Sequence, residues 1–173
     1  MAYNYQTDSS ISQTTLFSRS TVDTMTIGQQ LAQVFESGMV CALFGNLGSG
    51  KTVLVKGVCR GLGVQEEVTS PSFMIMNIYN GRCPIYHFDF YRLQRKTNWA
   101  DLGLDEYLFA DGLSLIEWPD RLKDDLPESS VHIFIRRIHP VSAVTENQRL
   151  ITVVGLKLAA VSLSQFTEEQ QIG

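Results

Sequence analysis

Residues 39–52 read Met39-Val40-Cys41-Ala42-Leu43-Phe44-Gly45-Asn46-Leu47-Gly48-Ser49-Gly50-Lys51-Thr52. The last eight fit the phosphate-binding pattern G-x-x-x-x-G-K-[ST]. The apolar run before them has the length of a buried strand. After them, Val53 to Leu62 carries apolar side chains at 54, 55, 58, 59 and 62, which is helical spacing. Strand, glycine loop and helix, in that order, put backbone N–H groups and the positive end of a helix around an anion. Gly45, Gly48 and Gly50 permit positive φ and a close backbone approach to phosphate oxygens. Lys51 supplies a mobile point charge for the β- and γ-phosphates. Thr52 offers a hydroxyl to a magnesium shell built mostly of waters and phosphate oxygens. Gly45, Asn46, Leu47, Gly48, Ser49, Gly50, Lys51 and Thr52 are therefore the expected nucleotide-binding residues. The competing reading is a glycine-rich turn with a chance Lys-Thr, and the flanking strand and helix argue against it.

On the N-terminal side, Thr24 to Ser37 reads as a helix, with Ile27, Leu31, Val34 and Phe35 on one face and Gly38 ending it. Residues 1–19 form a Ser/Thr/Gln-rich polar segment, loosely ordered at its start. On the C-terminal side, Thr69-Ser70-Pro71-Ser72 is a hydroxyl-rich loop. Two strand-like runs follow, Phe73 to Tyr79 and Pro84 to Phe90, around the hairpin signal Asn80-Gly81. An antiparallel pair after the nucleotide strand breaks simple βαβ alternation, so the sheet is expected to be mixed. Trp99 to Tyr107 reads as partly helical, Asp111-Gly112 as a turn, and Leu113 to Ile116, Val131 to Ile138 and Gln148 to Val154 as strands. The tail from Leu156 reads as helical and then polar. The fold class expected is α/β: one P-loop NTPase-like domain, residues 20–160, with a mixed sheet flanked by helices and a polar tail at 161–173.

The chain has 173 residues, enough for one domain with a real core. Its net charge of −4 gives no global field toward nucleic acid or acidic membrane. Cys41, Cys59 and Cys83 are odd in number and lack C-x-x-C spacing; the first two lie in apolar runs and read as small core residues. That suits a reducing cytoplasm. The polar start without an apolar signal core, and the lack of a stretch of membrane-spanning length, point the same way.

A phosphate loop needs an acid to position metal and a group to orient the attacking water. Acids at strand ends are well placed, because ligands in α/β folds bind beyond the carboxyl ends of the strands. Asp89 follows Ile85-Tyr86-His87-Phe88, and Glu117 follows Leu113-Ser114-Leu115-Ile116. Either acid suits the magnesium shell; the plainer reading of each is a solvated carboxylate paired with Arg92 or Arg121. His87 reads as a hydrogen-bonded strand histidine, and the basic stretches Arg92 to Lys96 and Arg136-Arg137 as solvated faces. No Asn-Lys-x-Asp motif appears, so ATP is expected rather than a guanine nucleotide. A small-molecule kinase would carry an arginine-bearing lid, and no segment reads as one.

Taken together, Gly45 to Thr52, Thr69-Ser70-Pro71-Ser72-Phe73, Tyr86-His87-Phe88-Asp89-Phe90-Tyr91-Arg92-Leu93 and Leu115-Ile116-Glu117-Trp118-Pro119 resemble the TsaE family, small bacterial P-loop ATPases of tRNA threonylcarbamoyladenosine modification. The resemblance runs from about Thr24 to Leu126. It implies that Lys51 holds phosphates, that Thr52 and Glu117 bind magnesium, that Asp89 is needed for hydrolysis, and that Trp118 matters for function. It implies a switch-like loop around Ser70 near the γ-phosphate. It also implies TsaB and TsaD as partners, with tRNA reached through their complex and ATP hydrolysis resetting it. The chain departs from the family's usual Gly-Asp-Leu-Gly-Ala-Gly-Lys-Thr-Thr at Asn46, Ser49 and Val53, has Ser72 where Ser-Pro-Thr is usual, and carries Arg95-Lys96 where an acidic stretch is usual. The rival expectations are a small-molecule kinase and a nucleotide-binding switch with incidental turnover.

Overall fold

A computed structural model describes residues 12–71, 73–94, 97, 102–108, 110–122, 126–138, 147–158 and 162–167. The expectations for Ser72, for Arg95 and Lys96, and for residues 99–101 at the start of the Trp99 to Tyr107 run lie outside the described residues; the described part of that run is helical from Asp105.

Seven strands form one sheet in the order β1-β7-β6-β2-β5-β4-β3. They are β1 (Gln13–Ser18), β2 (Val40–Phe44), β3 (Met76–Asn80), β4 (Pro84–Asp89), β5 (Leu113–Glu117), β6 (Val131–Arg137) and β7 (Arg149–Val154). β6, β2, β5 and β4 run parallel, with an antiparallel hairpin partner beyond each side of that block. The mixed sheet expected from Asn80-Gly81 is what the chain forms. Helices α1 (Thr21–Leu31) and α2 (Lys51–Gly61) pack against each other and cover one face. α3 (Asp105–Leu108) is a single turn.

Alternation along the strands sends side chains to two cores. Cys41, Leu43, Leu115, Ile133 and Ile151 meet Ile27, Leu31, Leu54 and Val58 of the helices. Val40, Phe88 and Ile116 join Phe90, Leu108 and Leu122 on the other face. Burial pushes the Cys59 thiol up to about 12 and the Cys41 thiol higher still, so both are inert core groups.

Several boundaries differ from the sequence reading. α1 ends at Leu31, not Ser37, because the N–H groups of Gln33 and Val34 reach back only three residues, to the Gln30 and Leu31 carbonyls at 3.1 Å, and the α-helical ladder stops. α1 starts at Thr21, three residues earlier than Thr24, because the Ser20 hydroxyl accepts from the Asp23 N–H at 3.0 Å and caps the helix. β3 starts at Met76, not Phe73; the N–H groups of Met74 and Ile75 both donate to the Pro71 carbonyl at 2.8 Å, and that turn delays the strand. The tail from Leu156 carries no α-helix among the described residues. Gly155 turns the chain at φ +87°, and Leu158, Leu163 and Phe166 are buried against the first core. The sheet also takes in residues 13–18, which the sequence places in the polar N-terminal segment. Among the described residues, no helix is long and apolar enough to cross a membrane.

Candidate active site

The parallel register sets the site. β2 and β5 pair Leu43 with Glu117, and β4 and β5 pair Asp89 with Glu117. The two acids therefore lie side by side at the carboxyl edge of the sheet. β2 delivers the chain to Gly45 at the same edge, and α2 starts from the loop at Lys51. Gly45, Gly48 and Gly50 have φ of +154°, +72° and +111°. A Cβ at Gly45 would stand 2.4 Å from the Ile135 carbonyl oxygen, so the loop packs against β6 as only glycine allows. Gly50, the N-cap of α2, supplies no side-chain acceptor, which leaves the helix end available to an anion.

Lys51 is 4% exposed. Its Nζ donates to the carbonyls of Gly45 at 2.8 Å and Asn46 at 3.2 Å, and lies 3.8 Å from the centre of the Trp118 ring. Burial lowers the ammonium's pKa from its ordinary 10.5, while Glu117, Asp89 and Asp120 pull it back up. Trp118 adopts a left-handed backbone, φ +60°, directly after β5. A non-glycine residue in that region is held there by its surroundings, here Lys51 on its ring and Tyr91 with ring centres 4.9 Å apart.

The Thr52 hydroxyl donates to Glu117 Oε1 at 2.8 Å. The same oxygen lies 3.0 Å from His87 Nε2, which donates as the nitrogen facing the carboxylate. His87 is fully buried, so the hydrogen-bonded strand histidine expected from sequence turns out to orient Glu117. Asp89 is fixed at both oxygens: Oδ1 accepts from the Tyr91 N–H at 3.0 Å, and Oδ2 accepts a short hydrogen bond from the Ser70 hydroxyl. The loop around Ser70 is thus tied to the acid at the end of β4. Arg92 lies over the exposed Phe73 ring, 4.0 Å from its centre, and Arg121 lies 5.9 Å from the centre of Trp118.

The sequence candidates converge. Lys51, Thr52, Ser70, Asp89, Glu117 and Trp118 meet around the loop, and of the loop candidates Asn46, Leu47 and Gly48 are exposed, Leu47 by 70%. Sequence reasoning passed over Arg149, whose Nε donates to the Ser49 carbonyl at 2.8 Å from across the sheet. Its signal, a lone basic residue at the start of a strand a hundred positions away, does not distinguish it from a surface arginine.

This constellation suits a nucleotide phosphate chain with magnesium. Magnesium accepts few protein ligands, and a hydroxyl and a carboxylate already within hydrogen-bond reach of each other provide that sparse set.

Comparison with known proteins shows which family the chain resembles. Residues 18–144 match the family model described as threonylcarbamoyl adenosine biosynthesis protein TsaE. The chain is 40% identical over 136 residues to the tRNA threonylcarbamoyladenosine biosynthesis protein TsaE of Treponema pallidum, covering 79% of this chain and 96% of that one. It is 40% identical over 116 residues to the protein of the same name from Bacillus subtilis, covering 66% and 72%. Among solved structures it is similar to Bacillus subtilis YdiB, with a TM-score of 0.70 and 32% identity over 85% of this chain and 88% of that one.

Proposed function

The chain belongs to the TsaE family, and from that membership and the site's geometry we propose that it binds ATP with magnesium and hydrolyses it in support of threonylcarbamoyladenosine formation on tRNA. The observation that carries the reading is the shared Glu117 oxygen, bonded by Thr52 at the start of α2 and by His87 beneath it. A carboxylate already bonded to the hydroxyl at the start of α2 is what supports a metal site beside the loop.

Each residue then has a role. The loop's N–H groups and Lys51 bind the phosphates; Lys51 exchanges its carbonyl partners for phosphate oxygens. Thr52 and Glu117 hold the magnesium, which when bound supplies charge neutralisation to the phosphate chain. Asp89, held by Ser70 and Tyr91, orients the attacking water. Trp118 keeps the Lys51 ammonium aligned through its ring face. TsaB and TsaD are the proposed partners, with tRNA engaged through their complex.

The test is product analysis with ATP. Free phosphate supports the reading, and a phosphorylated small-molecule acceptor would make the protein a kinase instead. Asp89→Ala is expected to bind ATP within about threefold of the parent and to turn over about a hundredfold more slowly, the span of a lost acid–base or water-positioning group. Unchanged turnover per bound nucleotide would remove Asp89 from the chemistry and leave a binding switch.

A further inference from the structure

Arg149 opens β7 opposite Arg137 of β6, and its side chain is buried. Its Nε donates to the Ser49 carbonyl at 2.8 Å, and its Nη1 donates to the carbonyl of Asn147. A Cβ added at Gly50 would meet that Nε at 2.8 Å and the adjoining Cδ at 3.3 Å, so the guanidinium lies against the loop where a side chain at 50 would stand. We propose that Arg149 is a positioning residue of the phosphate loop, holding the Ser49–Gly50 peptide so that the Gly50 N–H is turned toward the nucleotide's phosphates. This rests on the ATP-binding reading above.

The argument starts from peptide geometry. In a trans peptide the carbonyl of one residue and the N–H of the next point opposite ways. Fixing the Ser49 oxygen toward β7 therefore fixes the Gly50 N–H away from β7. Left alone, this peptide would turn easily, because Gly50 sits at φ +111° with no Cβ to restrict it. A peptide ordered before binding costs nothing to order during it. The bond is also charge-assisted, and a cation on the carbonyl polarises the peptide and strengthens its N–H as a donor. Arginine suits the task because its planar fork serves two carbonyls from a fixed position, which an ammonium does not.

A purely structural role explains the site less well. Burial, and next the like charge of Arg137, lower the Arg149 pKa from its ordinary 12.5. A buried cation beside another is a poor way to join two strands, since an apolar side chain of similar volume would do as well or better. A phosphate in the loop offsets both disadvantages.

The experiment compares ADP binding by calorimetry in the parent protein, Arg149→Met and Arg149→Lys, with the Gly50 amide followed by NMR. In the parent, the Gly50 amide proton is expected to move downfield on adding ADP. Arg149→Met is expected to weaken ADP about tenfold, the loss for a charged hydrogen bond, and to shrink that shift. Arg149→Lys, which keeps a cationic donor but not the fork, is expected to recover only part of the affinity, leaving a loss of about threefold. A folded Arg149→Met with a lower melting temperature but parental ADP affinity overturns the proposal. An unmoved Gly50 amide in ADP-bound parent protein also overturns it, whether or not the methionine variant folds. Failure of the parent to bind ADP or ATP would instead reject the nucleotide reading, and this inference with it.

Discussion

Ser49 and Lys51 are two buried polar side chains of one loop, 2% and 4% exposed, and their environments are opposite. Lys51 has two carbonyl acceptors and an aromatic face. The Ser49 hydroxyl is buried with no partner among the described residues. An unsatisfied buried hydroxyl is a cost, and its removal is neutral or favourable. Ser49→Ala is therefore expected to keep ADP affinity within about twofold and to melt at the same temperature or higher. Lys51→Ala is expected to stay folded and to weaken ADP about tenfold or more, because it removes a buried charged donor from the proposed phosphate site. Calorimetry and a thermal melt on the two variants check both; parental ADP affinity in Lys51→Ala would take the loop out of phosphate binding. The types of these residues were legible in the sequence, because the motif names the chemistry. What each touches was not. Nothing in the local sequence says that Trp118 takes φ +60° and lies under Lys51, or that His87 and Thr52 share one oxygen of Glu117. Those contacts depend on strand register, which sets positions far apart in the chain side by side.

The elements that carry the loop are held by a close helix crossing. A Cβ at Gly57 of α2 would stand 2.2 Å from the Met25 carbonyl oxygen of α1, and one at Gly28 of α1 would stand 2.4 Å from that of Leu54. Both obstacles are backbone, which cannot rotate aside. In an open helix Gly→Ala gains about 1 kcal/mol from propensity. Here overpacking costs about 1–3 kcal/mol or more and reverses the sign. Gly57→Ala is expected to lose about 1–2 kcal/mol, a melting temperature lower by about 2–8 °C for a chain of this size. A higher melting temperature in a calorimetric scan would show that the helices do not meet this closely. Sequence periodicity finds α2, β2, β4 and β5 because each has one or two apolar faces. It does not find β1, whose inward positions are Leu16 and Ser18 and whose Thr15 pairs with Thr152 of β7 at 3.1 Å. A hydroxyl-rich edge strand looks like a loop, since its stability comes from a neighbour distant in sequence. The early start of α1 was legible in principle: Ser20-x-x-Asp23 has the spacing of a helix cap.

At the scale of the whole molecule, the question is whether the site can work alone. Phosphoryl transfer depends on cations placed around the transferring group, and one supplied arginine is worth roughly 10³–10⁵ in rate. Among the described residues, Lys51 and Arg149 are bonded to loop carbonyls, and the Arg137 guanidinium lies 3.6 Å from where a Cβ at Gly48 would stand. Arg92 lies over Phe73, and Arg121 lies near Trp118. No described hydrogen bond places any of these arginines on the phosphate side of the loop. The surface beside Asp89 is open: Phe73 and Met74 are 84% and 75% exposed, on the turn between Ser70 and β3. The Asp89 N–H donates to the Ile75 carbonyl at 2.9 Å, and Ile75 is strained at φ +68°. A partner pressing on that turn would act directly on the acid proposed to orient water. The net charge of −4 gives the chain no general attraction for tRNA, so the nucleic acid is expected to matter through a partner complex. Phosphate release at saturating ATP is accordingly expected to be slow for the protein alone, to rise at least tenfold with TsaB and TsaD, and not to respond to tRNA without them. Steady-state assays in those combinations decide it. Fast release by the isolated protein, unchanged when TsaB and TsaD are added, would mean that its own residues complete the site, and the open turn at 73–75 would need another explanation.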